Sequence, residues 1–358
     1  MRLRSSISLI STLALTFTLA ACGDDGDDTG LDETSSSGDA ESTAEATGDG
    51  DGDSTGTSTT GDGDGDTTMT TGDGDGDSTT GDGDGDSTTG DGDGDGDGDG
   101  DLPNFENPGP ISVSSATGSM TTSNGCDLDY ETFTPATKRT EATVFMAHGF
   151  QRSIADQAAF AEHVASYGMT VVTVSLCTNG FVGVDHQKNG EAIAQLGAAL
   201  ASGDRVYSGF SAGGLAAFVA TAADSGATAF VGLDAVDNGQ IGTNAAGSIS
   251  VPVYAASAEP GQCNTNNNFY PVYAGLSDAR VIKVVGAQHF DFEADSCAGL
   301  ACSFCAPTGG DVHKMALGLI TAGAAWATGA YDGASSWWTA GGAAYDANLG
   351  AGRIQSIQ

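Results

Sequence analysis

From residue 102 onward, short apolar runs alternate with stretches in which apolar residues recur every three or four positions. "ATVFMAHGF" (142–150) is a run of the first kind and predicts a buried strand that ends in a glycine turn. "SIADQAAFAEHVASYG" follows, with Ile154, Ala158, Ala161 and Val164 on one helical face and Gly168 as its stop. "TVVTVSL" (170–176) predicts the next strand. "EAIAQLGAAL" predicts the next helix, with Ile193, Leu196 and Leu200 in register. "DRVYSGFS" (204–211), a helix from Ala212, "TAFVGLDAV" (228–236), "SVPVYAASA" (250–258), "ARVIKVVGA" (279–287) and a helix over roughly 312–327 continue the pattern. Such alternation predicts a mostly parallel sheet with helices on both faces. The opening runs "GPISVSSATG" and "CDLDYETFTP" have no helical pattern between them and predict an antiparallel pair.

Residues 1–101 are different material. Arg2 and Arg4 precede an apolar run from Ile7 to Ala21, which marks an export signal over 1–22 and is too short for a membrane span. Its end, Leu19-Ala20-Ala21-Cys22, resembles the bacterial lipobox, in which the cysteine is lipidated and becomes the mature N-terminus. An exported protein held on a bacterial membrane through Cys22 is therefore expected; an ordinary cleaved signal is the plainer alternative. Residues 23–101 hold 27 Asp and Glu and no Lys or Arg, and "GDGDGDSTT" occurs at 72–80 and again at 81–89. A segment with so little apolar surface to bury is expected to be a disordered, charge-extended linker. Its alternating aspartates can bind calcium weakly, but the glutamate and flanking helices of an EF-hand are missing.

The formal net charge of −37 is mostly a property of this linker. Residues 102–358 carry 21 acids against nine Lys and Arg, about −12, which argues against a nucleic-acid partner. These 257 residues suit one domain with a substantial core.

The chemistry concentrates at "GFSAGG" (209–214), between a predicted strand and a predicted helix. In a G-x-S-x-G turn the serine sits in a strained conformation at a strand tip, and the glycines let strand and helix approach closely. The pattern alone is weak in a chain with 55 glycines; its strand–turn–helix context makes Ser211 a candidate nucleophile rather than a packing turn. The amide of Ala212 then points at the developing oxyanion, and the turn after the third strand offers a second amide from Phe150 or Gln151. Of five histidines, His163 is placed mid-helix and His186 near a helix start, both expected at the surface. His313 opens the last helix, and His148 in "AHGF" reads as a structural residue. His289 follows the last predicted strand and is the candidate general base. Asp234, at the end of the sixth strand, and Glu259, at the end of the seventh, compete as the acid that orients it. Asp237 and Asp291 are lesser rivals.

Two antiparallel strands followed by parallel βα units resemble the α/β-hydrolase fold, here with an expected eight-stranded sheet. "VFMAHGFQRSIADQAAFAEHVASYGMTVVTVSL", "GFSAGG", "FVGLDAVD" and "VVGAQHFDFE" resemble, in order and spacing, the plant chlorophyllases and their bacterial relatives over roughly residues 110–325. Bacterial polyester hydrolases and cutinase-like enzymes are similar over the elbow and the first βα unit. The chlorophyllase likeness maps the triad acid onto Asp234, with Ala235 in place of that family's proline. The polyester hydrolases instead put the acid nearest Glu259. The elbow departs from the chlorophyllase GHSRGG at Phe210 and Ala212.

The resemblance implies a serine carboxylester hydrolase working through an acyl-enzyme, with Ser211, His289 and Asp234 as triad, Glu259 as the alternative acid, and no cofactor or metal. About 55 residues separate Asp234 from His289, too few for a large lid, so a small or a polymeric ester would fit. In that fold the second strand runs antiparallel beside the fourth, which implies a Cys126–Cys177 disulfide. Cys263, Cys297, Cys302 and Cys305 are expected to pair among themselves after the seventh and eighth strands. One C-x-x-C (302–305) without a second ligand pair is weak ground for zinc. The pair Trp337–Trp338 is read as packing in preference to a binding surface. A non-catalytic surface-binding lipoprotein on the same scaffold, and a peptidase or thioesterase, are the rival readings.

Overall fold

A computed structural model of the chain describes residues 102–180, 182–297 and 302–358. The expected signal peptide, the expected lipidation of Cys22 and the weak calcium binding expected of the acidic linker all fall outside the described residues.

The chain folds as an α/β protein around a nine-stranded sheet of order β1-β2-β4-β3-β5-β6-β7-β8-β9. β1 (Val113–Thr121) and β2 (Asp127–Pro135) form the expected antiparallel pair, and β2 runs antiparallel to β4 (Thr170–Val174). From β4 the sheet is parallel through β3 (Thr143–Ala147), β5 (Arg205–Phe210), β6 (Ala227–Leu233), β7 (Val253–Ser257) and β8 (Ala279–Val284). β9 (Ile354–Ser356) closes the far edge antiparallel to β8. The expected count of eight is corrected to nine. β9 has three residues and only Ile354 is buried, so no period-two pattern announces it.

The parallel strands are apolar on both faces because both are covered. Val144 and Met146 of β3 point to one side, with Phe160 and Val164 of α1 (Ala158–Ala165) and Met315, Leu319 and Ile320 of α7 (Gly310–Ala327). Phe145 and Ala147 point to the other, with Ile193 and Leu196 of α2 (His186–Leu200) and Leu215 and Phe218 of α3 (Ala212–Ala223). This is the alternation a pleated strand imposes. α4 (Ile241–Ala246) and α5 (Tyr270–Ala274) lie between β6 and β8, and α8 (Ala343–Gly350) precedes β9. The arrangement is compatible with an α/β-hydrolase-like fold.

Three helical expectations shift in detail. The segment from Ile154 opens as a 3-10 turn (Ile154–Gln157) before α1 begins. α2 starts at His186, where the Asp185 carboxylate accepts the Lys188 amide at 2.9 Å as an N-cap. Leu200, expected on the buried face, is exposed because α2 ends there. Trp337 and Trp338 are buried, and the Trp338 indole donates to the Leu319 carbonyl at 3.0 Å, so the pair packs the core.

Cys126 and Cys177 form a disulfide with Cα atoms 5.4 Å apart, joining the start of β2 to the end of β4. Cys263 pairs with Cys305 and Cys297 with Cys302, so the two cysteines of the C-x-x-C go to different partners. Three disulfides mark an extracytoplasmic protein. Among the described residues no helix is long and apolar enough to cross a membrane.

Candidate active site

Ser211 stands between β5 and α3 with φ 55° and ψ −120°, a conformation a non-glycine residue holds only when its surroundings over-determine it. They do so here. Its amide donates to the Leu233 carbonyl at 3.0 Å, and its carbonyl accepts from the Val236 amide at 3.2 Å. The turn is thus bonded on both sides to the end of β6. A Cβ on Gly213 would collide with the carbonyl oxygens of Ala147 and His148, and one on Gly209 with the Gly213 carbonyl. Only glycine allows β3, β5 and α3 to meet this closely. The strain places the Ser211 side chain at the carboxyl edge of the parallel strands, where it is almost buried at 8 % exposure.

Asp234 leaves the neighbouring strand at that same edge, also at positive φ (43°), with its amide donating to Ala256 across the sheet at 2.8 Å. Its carboxylate is buried, and Oδ2 lies 2.6 Å from Nδ1 of His289. Oδ1 accepts from the Ala258 amide at 3.0 Å, and the Asn264 side-chain amide approaches Oδ2 at 3.1 Å. An ionised carboxylate can only accept, so Nδ1 is the ring nitrogen that donates to it. His289 opens a 3-10 turn (His289–Phe292) after β8, and its ring centroid lies 4.5 Å from that of Phe210, the residue before Ser211. Three strand ends, distant in sequence, thus deliver a hydroxyl, an imidazole and a buried carboxylate to one edge of the sheet.

The other acids are engaged elsewhere. Glu259 meets the Lys283 ammonium at 2.7 Å and the Gly286 amide at 3.2 Å. Partial burial works against its ionisation, yet those two partners prevail and hold the carboxyl below its ordinary range. Asp291 accepts from the Gln288, Thr308 and Gly309 amides and so braces its own loop. Asp237 accepts from the Gly242 amide at 2.8 Å beside α4.

His148 is buried. Its Nε2 accepts from the Leu176 amide, so Nδ1 donates to the Gly149 carbonyl, and burial pushes the ring below its ordinary pKa. The expectation of surface positions for His163 and His186 is corrected: both are buried, and burial lowers both. His163 points inward, with Nε2 2.9 Å from the Phe105 carbonyl; the chain before β1 covers it, a contact no local pattern encodes. His313 sits with Nδ1 2.7 Å from the Asp291 carbonyl. Of the two amides expected to serve after β3, that of Gln151 donates to Asn179 Oδ1 at 2.8 Å. Phe150 is half-exposed on the same turn. The Ala212 amide is the first of α3, a position with no intrahelical acceptor. Among the described residues no three His, Cys, Asp or Glu side chains gather as a metal site.

Sequence reasoning missed one pair beside this site. Arg152, on the turn after β3, bonds Glu293 on the His289 turn (Nε to Oε2, 2.7 Å) and also meets Asp156 at 2.8 Å. Glu293 is buried, and burial raises its carboxyl despite Arg152. A raised carboxyl means that the folded state binds the proton more tightly than the unfolded one. Stability should therefore fall as pH rises from the ordinary carboxyl range through the elevated value, and Glu293→Gln should remove that part of the fall. Urea titrations of both proteins at several pH values check this; parallel curves would refute it.

Comparison with protein-family models and with curated proteins finds no match for this chain.

Proposed function

We propose that this protein is an exported serine hydrolase that cleaves carboxylic esters by acyl transfer on an α/β-hydrolase-like fold. The observation that carries the reading is the buried contact of Asp234 with His289 Nδ1, at the edge where Ser211 is held in its strained turn. Nε2 of His289 takes the Ser211 proton as Oγ attacks the ester carbonyl, and Asp234 stabilises the imidazolium that forms. The oxyanion rests on the Ala212 amide and on a second amide from the turn after β3. His289 then protonates the leaving alcohol, and water, activated by the same nitrogen, releases the acid and restores Ser211. The chain supplies every group these steps use.

A fluorophosphonate probe tests the reading without knowledge of the substrate: it should label the wild-type protein at Ser211. Absence of labelling on folded protein would favour the non-catalytic binding reading. A chain-length series of p-nitrophenyl esters then separates short from long acyl preference. Cys22 bears on where the enzyme works. Cys22→Ser should move ester activity from the membrane fraction to the soluble one with turnover unchanged, because the linker separates anchor from catalytic domain. Activity that stays with the membrane would refute lipid anchoring at that residue.

A further inference from the structure

The segment "CNTNNN" (263–268) enters neither the reading of the triad nor the core pattern, yet one of its asparagines reaches Asp234 and two others bond the chain on either side of it. Asn264 is buried. Its Oδ1 accepts from the Gly261 amide at 2.8 Å and the Asn267 amide at 3.3 Å, and backbone amides can only donate. The side chain's orientation is thereby settled, and Nδ2 faces Asp234 at 3.1 Å from Oδ2 and 3.4 Å from Oδ1, and the Glu259 carbonyl at 2.9 Å. Asn267 donates to the Ala258 carbonyl at 3.2 Å, while the Ala258 amide itself bonds Asp234. Asn268 brackets Asp237, accepting its amide at 2.9 Å and donating to its carbonyl at 2.8 Å. Both chain segments that flank the carboxylate, 234–237 and 258–261, are therefore held by this one turn.

The turn itself is costly. Thr265, Asn266 and Asn267 are consecutive non-glycine residues at φ 50°, 55° and 59°. Each such residue costs on the order of 1 kcal/mol or more, and asparagine tolerates the region best. The turn is secured next to Asn264 by the Cys263–Cys305 disulfide, whose far end is on α6 (Cys302–Cys305) in the segment that joins the His289 turn to α7. The support of the acid and the loop of the base are covalently joined.

We infer that the asparagine turn is the positioning device for Asp234, and that Asn264 is its central positioning residue. Asn264 fixes the orientation of the carboxylate with Oδ2 toward His289 Nδ1, and its own hydrogen bonds go to Asp234 and to the surrounding loop, not to Ser211 or His289. The inference rests on the reading of Ser211, His289 and Asp234 as an acyl-transfer triad.

A double-mutant cycle on the full chain tests it, read by turnover of p-nitrophenyl butyrate and by the rate of fluorophosphonate labelling. Asn264→Ala should lower kcat about 10- to 100-fold with KM within about twofold, the signature of an interaction that matters in the transition state. In an Asp234→Asn background the same substitution should change kcat by less than about threefold, because its effect passes through the lost carboxylate. If Asn264→Ala does not fold, Asn264→Asp keeps the acceptor for the Gly261 and Asn267 amides and goes through the same cycle with the same expectation. Equal losses in both backgrounds, or wild-type kcat in the single variant, would overturn the inference. Failure of the wild-type protein to label at Ser211 would instead overturn the triad reading on which it rests.

Discussion

Ser211→Ala should abolish fluorophosphonate labelling and lower ester turnover by at least about ten-thousand-fold, while the protein melts with the wild type. The magnitude follows from the proposed role. An alanine offers no oxygen to acylate, and what survives is the rate that bound water reaches with the oxyanion amides and His289 alone. Stability should stay close to wild type because the contacts that hold the turn are main-chain ones, the bonds to Leu233 and Val236, and alanine keeps them. The competing view, that the turn exists to pack β5 against α3, makes the opposite forecast. If Ser211→Ala retained most of its activity, the strained backbone at 209–213 would serve packing and the nucleophile would have to be sought elsewhere.

Asp234→Asn should lower kcat at least about a hundredfold in a folded protein, whereas Glu259→Gln should change it by less than about threefold. An amide in place of the carboxylate no longer compels a proton onto Nδ1, and it cannot balance the charge of the imidazolium. The buried 2.6 Å contact makes that loss large. Glu259 faces Lys283 and the Gly286 amide, so its amide variant forfeits a part-exposed ion pair that contributes little. Circular dichroism and melting curves separate loss of catalysis from loss of fold. If Glu259→Gln were the more damaging change, the acid would belong after β7, and the likeness to polyester hydrolases would be the better guide.

Periodicity carried the fold far. The apolar runs of β3 to β8 and the helical faces of α1 and α2 were legible because a strand covered on both sides, and a helix covered on one, leave those signatures in local sequence. β9 and the short helices α4 and α5 were not legible. Each has too few turns or residues for a period to show, and each is held by what it packs against. The same division runs through the site. Ser211 was visible because its turn requires glycines at fixed offsets, and His289 because it follows the last parallel strand. Asp234 and Glu259 both end strands at the same edge, and in the sequence only the likeness of "GLDAVD" to the chlorophyllases favours Asp234.

What the sequence determined by itself, then, is whatever short-range physics encodes: the alternation of elements, the glycine-dependent elbow, the acidic composition of 23–101 and the roster of groups able to do chemistry. What only the tertiary structure decided is partnership. That Asp234 meets His289 while Glu259 meets Lys283, that the Gln151 amide is committed to Asn179, that His163 and His186 are buried, and that the Asn264 side chain reaches the Asp234 carboxylate are all contacts between distant segments. A hydrogen bond is a matter of ångströms in space, and residues 55 positions apart come within 2.6 Å only once the sheet has aligned the strand ends that carry them.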